Sequence, residues 1–270
     1  MSERTIRLVL SDVDGTLVPH DKVLTERTIT AVQQLHEAGI IFALTSARPP
    51  QGLAMFVKPL ELTTPLAGFN GGRVTDTDLN VLEEKTIADH LSAPILALLA
   101  SHGLSVWVYQ GADWYVLDER GPRVEYESNV CQCEPSVIKD FDGVETGVTK
   151  IVGVSDDFEA CAAASADVRT QFGEQVLATR SQRYFVDVTN PDANKGNVVK
   201  FLSAKYNVPV AQIATIGDME NDLSMFKVSG FSIAMGNAID EVQRAASVVT
   251  TTNENEGFAV AITKFILDAS

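Results

Sequence analysis

The two ends of this chain alternate short apolar runs with amphipathic segments, and this alternation limits the possible folds more than any other feature. Near the N-terminus the apolar runs are Ile6–Ser11, Ile40–Thr45 and Pro65–Phe69. Between the first two runs, apolar residues recur at near-helical spacing after Thr25, a suitable helix cap, and Gly39 ends that segment. Continuous apolar runs are typical of strands buried on both faces, so this part predicts parallel strands joined by helices.

The same rhythm returns in the last third of the chain. Lys195–Tyr206 has the pattern of a helix, and short apolar runs follow at Ile213–Ile216 and Phe231–Ala234. A closing helix is predicted at Gly257–Asp268. Both chain ends therefore predict strands and helices of one α/β unit.

The middle of the chain differs, because short strands such as Ser105–Tyr109 and Lys150–Val154 have few helices between them. Helices are predicted only at about Leu91–Ser101 and Asp157–Phe172, which favours a smaller unit with an antiparallel sheet. We predict an α/β fold class, with a Rossmann-like parallel-sheet core covered by helices and an inserted α+β cap domain. The predicted core comprises residues 1–81 and 188–270, and the predicted cap comprises residues 82–187.

Charge and hydropathy exclude several classes of partner. The chain has 36 acidic and 21 basic residues, a net charge of −15, which disfavours binding to the phosphate backbone of nucleic acids. The apolar runs are far shorter than the roughly 20 residues that span a bilayer, so no membrane partner is expected. The run before Asp12 is too short for a secretory signal core, and the three cysteines are sparse, so we expect a cytoplasmic protein.

Polar residues follow the predicted core strands at the points where ligands bind in open α/β sheets. Asp12 and Asp14 come directly after the first strand, Ser46 follows the second, and Asp218 follows the late strand. Lys195 opens the helix that precedes the late strand. If the predicted sheet is correct, these residues meet at one edge.

Several carboxylates at one edge repel one another unless a cation lies between them, and hard oxygen ligands suit Mg²⁺. A carboxylate nucleophile can form an acyl phosphate, and a second carboxyl group can protonate the leaving oxygen and later take a proton from water. A hydroxyl, backbone N–H groups and an ammonium can hold the oxygens of the transferring phosphoryl group. The set therefore favours phosphoryl transfer.

These motifs resemble, in order and over nearly the whole chain, the four motifs of the haloacid dehalogenase superfamily. They are Asp12-Val-Asp14-Gly-Thr, Ser46-Ala-Arg48-Pro, Lys195-Gly and Gly217-Asp218-Met-Glu-Asn221-Asp222. Two further segments, Asn70-Gly71-Gly72 and Ala234-Met-Gly-Asn-Ala238, resemble the Cof-type subfamily of sugar-phosphate phosphatases. This subfamily usually has Thr-Gly-Arg where the chain has Ser46-Ala47-Arg48, which retains the hydroxyl but adds a methyl group beside the phosphate.

Carried over position by position, the resemblance implies that Asp12 is the nucleophile and Asp14 the general acid and base. It implies a Mg²⁺ cofactor held by the side chains of Asp12 and Asp218 and by the backbone carbonyl of Asp14. Asp222 would support the metal site from outside the ligand set.

Phosphate would be bound by Ser46, Lys195 and Asn221 under the same resemblance. Arg48 has a simpler interpretation, in which it braces acidic neighbours. Other possible substrate contacts are Asn70 and Gly71, which are first of all turn residues, and Arg180 and Arg183 in the cap.

The resemblance implies a Mg²⁺-dependent phosphatase that hydrolyses small phosphate monoesters, such as sugar phosphates, through an aspartyl-phosphate. Two alternatives remain open: a phosphotransferase or phosphosugar mutase, and a non-catalytic protein that binds phosphorylated metabolites. The expected partner is a small phosphorylated metabolite, whose identity is not encoded in any recognisable motif of the cap. The sequence is silent on oligomeric state.

Overall fold

The computed structural model describes residues 5–268, which form two β-sheets with helices packed against them. The strands, in chain order, are β1 (Leu8–Ser11), β2 (Ile41–Thr45), β3 (Leu66–Gly68), β4 (Arg73–Thr75), β5 (Val81–Glu84), β6 (Ser105–Gln110), β7 (Asp113–Val116), β8 (Ser136–Val137), β9 (Lys150–Val154), β10 (Leu177–Thr179), β11 (Phe185–Thr189), β12 (Ile213–Gly217), β13 (Phe231–Ala234) and β14 (Val248–Val249). The α-helices are α1 (Glu26–Glu37), α2 (Gln51–Ala54), α3 (Asp89–Ser101), α4 (Val124–Cys131), α5 (Phe158–Phe172), α6 (Lys195–Tyr206), α7 (Leu223–Phe226), α8 (Asp240–Ala245) and α9 (Gly257–Ala261), which continues as a π-helical segment over Ile262–Leu267.

The larger sheet has the strand order β14-β13-β12-β1-β2-β3-β4-β5. Strands β14 to β3 run parallel, and β4 and β5 add an antiparallel edge. Strand β1 lies at the centre and is buried on both faces, as its continuous apolar sequence predicts. Val9 packs into the core on the side of α1 and α9, whereas Leu8 and Leu10 pack on the opposite side with α6.

Helix α1 shows how local sequence sets the boundaries of these elements. Thr25 caps the helix, since its hydroxyl accepts a hydrogen bond from the Thr28 amide at 3.1 Å. Val32 and Leu35 are fully buried against the sheet. Gly39 follows with a φ of 71°, the left-handed conformation that commonly ends a helix.

The smaller sheet has the order β10-β11-β9-β6-β7-β8 and is antiparallel except between β7 and β8. Helices α3 and α5 cover one face. The other face carries an aromatic cluster that includes Trp107, Tyr109 and Trp114, which packs against Phe69 from the turn after β3. The Phe69 and Tyr109 ring centroids are 5.0 Å apart, so this cluster joins the two sheets.

Sequence patterns missed four elements: strands β4, β5 and β8 and helix α4. Val81 and Leu82 in β5 are 46% exposed, so this edge strand lacks the buried apolar run that marks the central strands. Helix α4 lies in a segment that the sequence predicted to be irregular, because its residues are mostly polar and its buried face is short.

Sheet membership bears on the proposed division into core and cap. Strand β5 pairs with β4 in the larger sheet, and β11 ends the smaller sheet at Thr189. We therefore propose that the inserted cap begins between Glu84 and Asp89 and ends just after Thr189. No helix within residues 5–268 is long and apolar enough to cross a membrane.

Candidate active site

Three neighbouring strands bring the predicted site residues together at one edge of the larger sheet. Strand β1 pairs in parallel with β12 on one side and with β2 on the other. The carboxyl ends of these strands are followed by Asp12 and Asp14, by Asp218 and by Ser46, respectively. The prediction that residues distant in sequence converge here is confirmed by this topology.

Carboxylate oxygens of Asp12, Asp218 and Asp222 lie within 4.8 Å of one another, and all three residues are buried. The loop after β1 makes this approach possible through Gly15, whose φ is +85°. A Cβ atom at Gly15 would lie 2.3 Å from Oδ2 of Asp218, so only glycine allows the two loops to come this close. Asp218 also accepts a hydrogen bond from the Thr16 hydroxyl at 3.1 Å.

Lys195 supplies the positive charge inside this cluster. Its Nζ donates to Oδ1 of Asp12 at 2.5 Å and to Oδ1 of Asp222 at 2.6 Å, and the residue is fully buried. Burial lowers the pKa of Lys195, but the adjacent charges of Asp12 and Asp222 outweigh it and hold the pKa above its usual value. The ammonium has three donors, so one N–H remains beyond these two bonds.

Asp222 has both oxygens engaged by the protein. Oδ1 accepts from Lys195, and Oδ2 accepts from the amides of Asp218 and Met219, both at 2.9 Å. Asp222 thereby holds the loop that carries Asp218. Because both of its oxygens already accept hydrogen bonds from the protein, Asp222 fits the predicted role of supporting the metal site better than the role of a metal ligand.

The remaining carboxylates fit a divalent cation. Burial, together with the charges of Asp222 and Asp14, raises the pKa of Asp12 to about 7 against the opposing effect of Lys195. Burial and the charges of Asp12 and Asp222 raise the pKa of Asp218 well above its usual value. Closely spaced buried carboxylates with raised pKa values are the donor set that a hard cation stabilises.

The Asp14 side chain points to other partners. Arg48 donates from Nε and Nη2 to the two Asp14 oxygens at 2.6 and 2.7 Å, and Lys22 lies 2.8 Å from Oδ1. Burial raises the pKa of Asp14, but hydrogen bonds and charge from Arg48 and Lys22 outweigh it and hold the pKa below its usual value. The interpretation that Arg48 braces acidic neighbours agrees with this geometry.

Two of the predicted phosphate ligands line a pocket above Asp12. Ser46 is buried, and its Oγ accepts a hydrogen bond from the Arg48 amide at 3.1 Å. Asn221 donates through Nδ2 to Oδ1 of Asn70 at 2.9 Å, and its own Oδ1 is buried without a hydrogen-bond partner among the described residues. Asn221 therefore keeps an acceptor for a bound donor. Lys195 lies behind Asp12, outside the pocket lining.

The turn Asn70-Gly71-Gly72 holds Asn221 in place and is not itself part of the pocket wall. Asn70 has a φ of 57° and is buried, and its backbone N–H donates to the backbone carbonyl of Ser46 at 2.8 Å. Gly71 has a φ of 93° and packs against Val198 of α6. Neither residue is among those that line the pocket above Asp12.

The pocket encloses about 500 Å³ of space, part of which is open to solvent. Its floor is formed by the core residues described above, and its roof comes from the smaller sheet and from α4. The roof residues are Tyr126, Glu127, Val130, Lys150, Ser181, Gln182, Tyr184 and Phe185.

The sequence did not identify these roof residues. Arg180 and Arg183, the predicted cap contacts, do not line the pocket, although their neighbours Ser181 and Gln182 do. Arg180 Nε instead lies 4.0 Å from Glu220, and Arg183 is exposed. Lys22 was also missed. No motif in the sequence marks any of these residues.

Comparisons with known proteins agree with the geometry. A family model described as haloacid dehalogenase-like hydrolase matches residues 9–262. A Haemophilus influenzae relative whose phosphatase name is provisional is 31% identical over 257 residues, covering 95% of this chain and 97% of that protein. A 5-amino-6-(5-phospho-D-ribitylamino)uracil phosphatase of Bacillus subtilis is 25% identical, covering 93% of this chain and 94% of that protein.

Among solved structures, a haloacid dehalogenase-like hydrolase from Bacteroides thetaiotaomicron has a TM-score of 0.82 and 25% identity. The match covers 96% of this chain and 99% of that chain. The α/β fold class and the resemblance carried by the four motifs are confirmed by these similarities.

Proposed function

Since this chain belongs to the haloacid dehalogenase-like hydrolase family, among whose members its relatives are named phosphatases, we propose that it hydrolyses small phosphate monoesters through an aspartyl-phosphate on Asp12 with Mg²⁺ as cofactor. The observation that carries the proposal is the meeting of Asp12 with Asp218 and Lys195 directly behind a pocket that Asp12 lines. The mechanism assigns one task to each of these groups.

In the first half of the reaction, a carboxylate oxygen of Asp12 attacks the phosphorus atom. The bond between phosphorus and the ester oxygen breaks, and the departing oxygen takes a proton from Asp14, which must enter this step protonated although Arg48 and Lys22 favour its ionised form. Lys195 keeps the nucleophile in place through its bond to Oδ1 of Asp12. The Ser46 hydroxyl and the second N–H of Asn221 Nδ2 donate to the phosphoryl oxygens from the pocket wall and orient them.

In the second half, a water molecule attacks the phosphorus of the aspartyl-phosphate, and Asp14 takes its proton. The bond between phosphorus and Asp12 breaks, which releases inorganic phosphate and restores the carboxylate. The ionised form of Asp14 that Arg48 and Lys22 stabilise is the form needed for this proton transfer.

The cation would be held by the side chains of Asp12 and Asp218 and by the backbone carbonyl of Asp14. Bound Mg²⁺ supplies positive charge that offsets the repulsion between the nucleophile and the phosphate dianion. Gly15 and Asp222 contribute by fixing the distance and orientation of Asp218.

The decisive experiment measures inorganic phosphate released from a panel of phosphorylated metabolites and from p-nitrophenyl phosphate in the presence of Mg²⁺. Phospho-D-ribityl compounds belong in the panel because a relative is named for such a substrate. We expect release by the wild-type chain, and we expect Asp12→Asn to reduce it by at least about a thousandfold, because the nucleophile is lost.

The matched control is Asp78→Asn, the same substitution at an exposed aspartate in the turn between β4 and β5, which should retain wild-type activity. Full activity of Asp12→Asn would contradict the nucleophile assignment. Isomerised sugar phosphate without released phosphate would instead establish the mutase alternative.

A further inference from the structure

The loop after β2, which carries the proposed phosphate ligand Ser46, is bonded to both sheets. The turn after β3 donates backbone N–H groups to the carbonyl oxygens of Ser46 and Arg48, both at 2.8 Å. The carbonyl between them, that of Ala47, accepts a hydrogen bond from Nζ of Lys150 at 2.9 Å. Lys150 belongs to β9 of the smaller sheet, so this bond reaches the phosphate-binding loop from the proposed cap.

The bond from Lys150 falls on the peptide unit that also holds the Ser46 hydroxyl. The Ala47 carbonyl and the Arg48 N–H belong to one planar peptide unit. Its oxygen accepts from Lys150, and its N–H donates to Oγ of Ser46 at 3.1 Å. Since Oγ is the acceptor in this bond, the hydroxyl hydrogen of Ser46 is left to donate to a phosphoryl oxygen. Lys150 therefore holds one end of the peptide unit whose other end orients this hydroxyl.

The Lys150 ammonium is itself confined. Lys150 is 3% exposed, and its Nζ lies 5.2 and 5.1 Å from the ring centroids of Phe69 and Tyr109, within cation–π range. Nζ also lies 3.2 Å from Oδ1 of Asp187 on β11. Asp187 is 1% exposed, and neither of its oxygens has a hydrogen-bond partner among the described residues, so the Lys150 ammonium balances its charge.

From this chain of bonds we infer that Lys150 is a positioning residue for phosphate binding, which acts through the Ala47 peptide unit on the Ser46 hydroxyl. The proposed cap thereby takes part in binding the phosphoryl group, which every substrate shares, in addition to enclosing the leaving group. The inference rests on the proposed function, which gives Ser46 its role. Loss of the Lys150 ammonium is expected to weaken the binding of every phosphate ligand to a similar extent.

The test requires a variant that removes the ammonium and still folds. Lys150→Met alone leaves the buried charge of Asp187 unpaired, which destabilises a protein strongly. The test variant therefore combines Lys150→Met with Asp187→Leu, which replaces the ion pair by apolar side chains of similar size and keeps the net charge. Replacements of this kind are often neutral or stabilising, and urea unfolding measures the outcome. The matched control is Lys139→Met, at an exposed lysine in the loop after β8.

The main measurement is the inhibition constant of inorganic phosphate against hydrolysis of p-nitrophenyl phosphate. We expect the double variant to raise this constant about tenfold, the effect of one hydrogen bond that the displaced hydroxyl no longer makes. KM should rise by a similar factor for p-nitrophenyl phosphate and for glycerol 3-phosphate, with a smaller change in kcat, because both substrates carry the same phosphoryl group. Lys139→Met should leave all of these constants unchanged.

A double-mutant cycle with Ser46→Ala tests whether Lys150 acts through the hydroxyl. Ser46→Ala keeps the nucleophile and removes the group that Lys150 is inferred to position. In this background the same pair of substitutions should change the inhibition constant of inorganic phosphate by less than about twofold, because interacting sites are not additive.

Three results would overturn the inference: unchanged constants in the double variant, the full tenfold effect in the Ser46→Ala background, or a loss confined to one of the two substrates. In each of these cases the wild type still hydrolyses p-nitrophenyl phosphate, so the proposed function stands. Absence of phosphate release from both substrates by the wild type would contradict the proposed function, and this inference with it.

Discussion

At the scale of single residues, Asp14 is held between two cations, Arg48 and Lys22, with contacts of 2.6 to 2.8 Å. This arrangement keeps its pKa low and stabilises the ionised form, which accepts a proton from water. In the first half of the reaction the same carboxyl group must donate a proton to the departing oxygen. A leaving group that departs as a stable anion does not need this proton, so the importance of Asp14 depends on the leaving group.

This dependence gives a prediction for Asp14→Asn. With an alkyl phosphate, whose leaving oxygen needs a proton, we expect kcat/KM to fall by roughly 100-fold or more, the usual contribution of general acid catalysis. With p-nitrophenyl phosphate, whose phenolate departs without a proton, the loss should be several times smaller. Steady-state kinetics on both substrates measures the difference, and equal losses would refute the acid role.

At the scale of elements, the loop after β1 must bend sharply so that Asp218 can approach Asp12. Gly15 and Gly143 have nearly the same φ, +85° and +86°. A Cβ at Gly15 would collide with the Asp218 carboxylate, whereas a Cβ at Gly143 would have nothing within 4 Å. The two positions therefore separate backbone strain from the collision.

For Gly15→Ala we expect at least a tenfold rise in the Mg²⁺ concentration needed for half-maximal activity, because Asp218 is displaced. For Gly143→Ala we expect an unchanged Mg²⁺ requirement and a loss of about 1 kcal/mol in the free energy of unfolding. Activity measured as a function of Mg²⁺, with urea unfolding of both variants, tests this pair. Similar Mg²⁺ curves for the two variants would contradict the role given to Gly15.

At the scale of the whole molecule, the site concentrates more negative charge than the protein neutralises. Three buried carboxylates, those of Asp12, Asp218 and Asp222, lie together, and the ammonium of Lys195 bonds to two of them, Asp12 and Asp222. Because a cation that binds only the folded state stabilises it, the metal site is expected to contribute to stability as well as to activity.

We therefore expect Mg²⁺ at about 100 times its dissociation constant to add about 2.7 kcal/mol to the free energy of unfolding of the wild type. Asp218→Asn should abolish this gain and, in EDTA, should be at least as stable as the wild type, because it removes a buried like charge. Asp78→Asn should retain the gain. Calorimetry with Mg²⁺ and with EDTA measures these shifts, and a wild-type curve that does not respond to Mg²⁺ would exclude the site.

The sequence by itself determined the parallel strands and the helices of the core and the residues at the carboxyl ends of those strands. Central strands are buried on both faces, so their apolar runs are continuous, and the polar residues after β1, β2 and β12 stand out against them. Parallel strands align these ends, which is why the grouping of Asp12, Ser46 and Asp218 could be predicted before any contact was known.

Only the tertiary structure decided which residues face the substrate from the roof. Arg48 meets Val130, and Lys150 meets Ala47, across 82 and 103 residues of sequence. Such contacts depend on how one sheet docks against the other, and the local periodicity of a helix or strand carries no information about that docking. Glu127 lies in a short polar helix with no apolar pattern of its own, so its place in the pocket follows from packing alone.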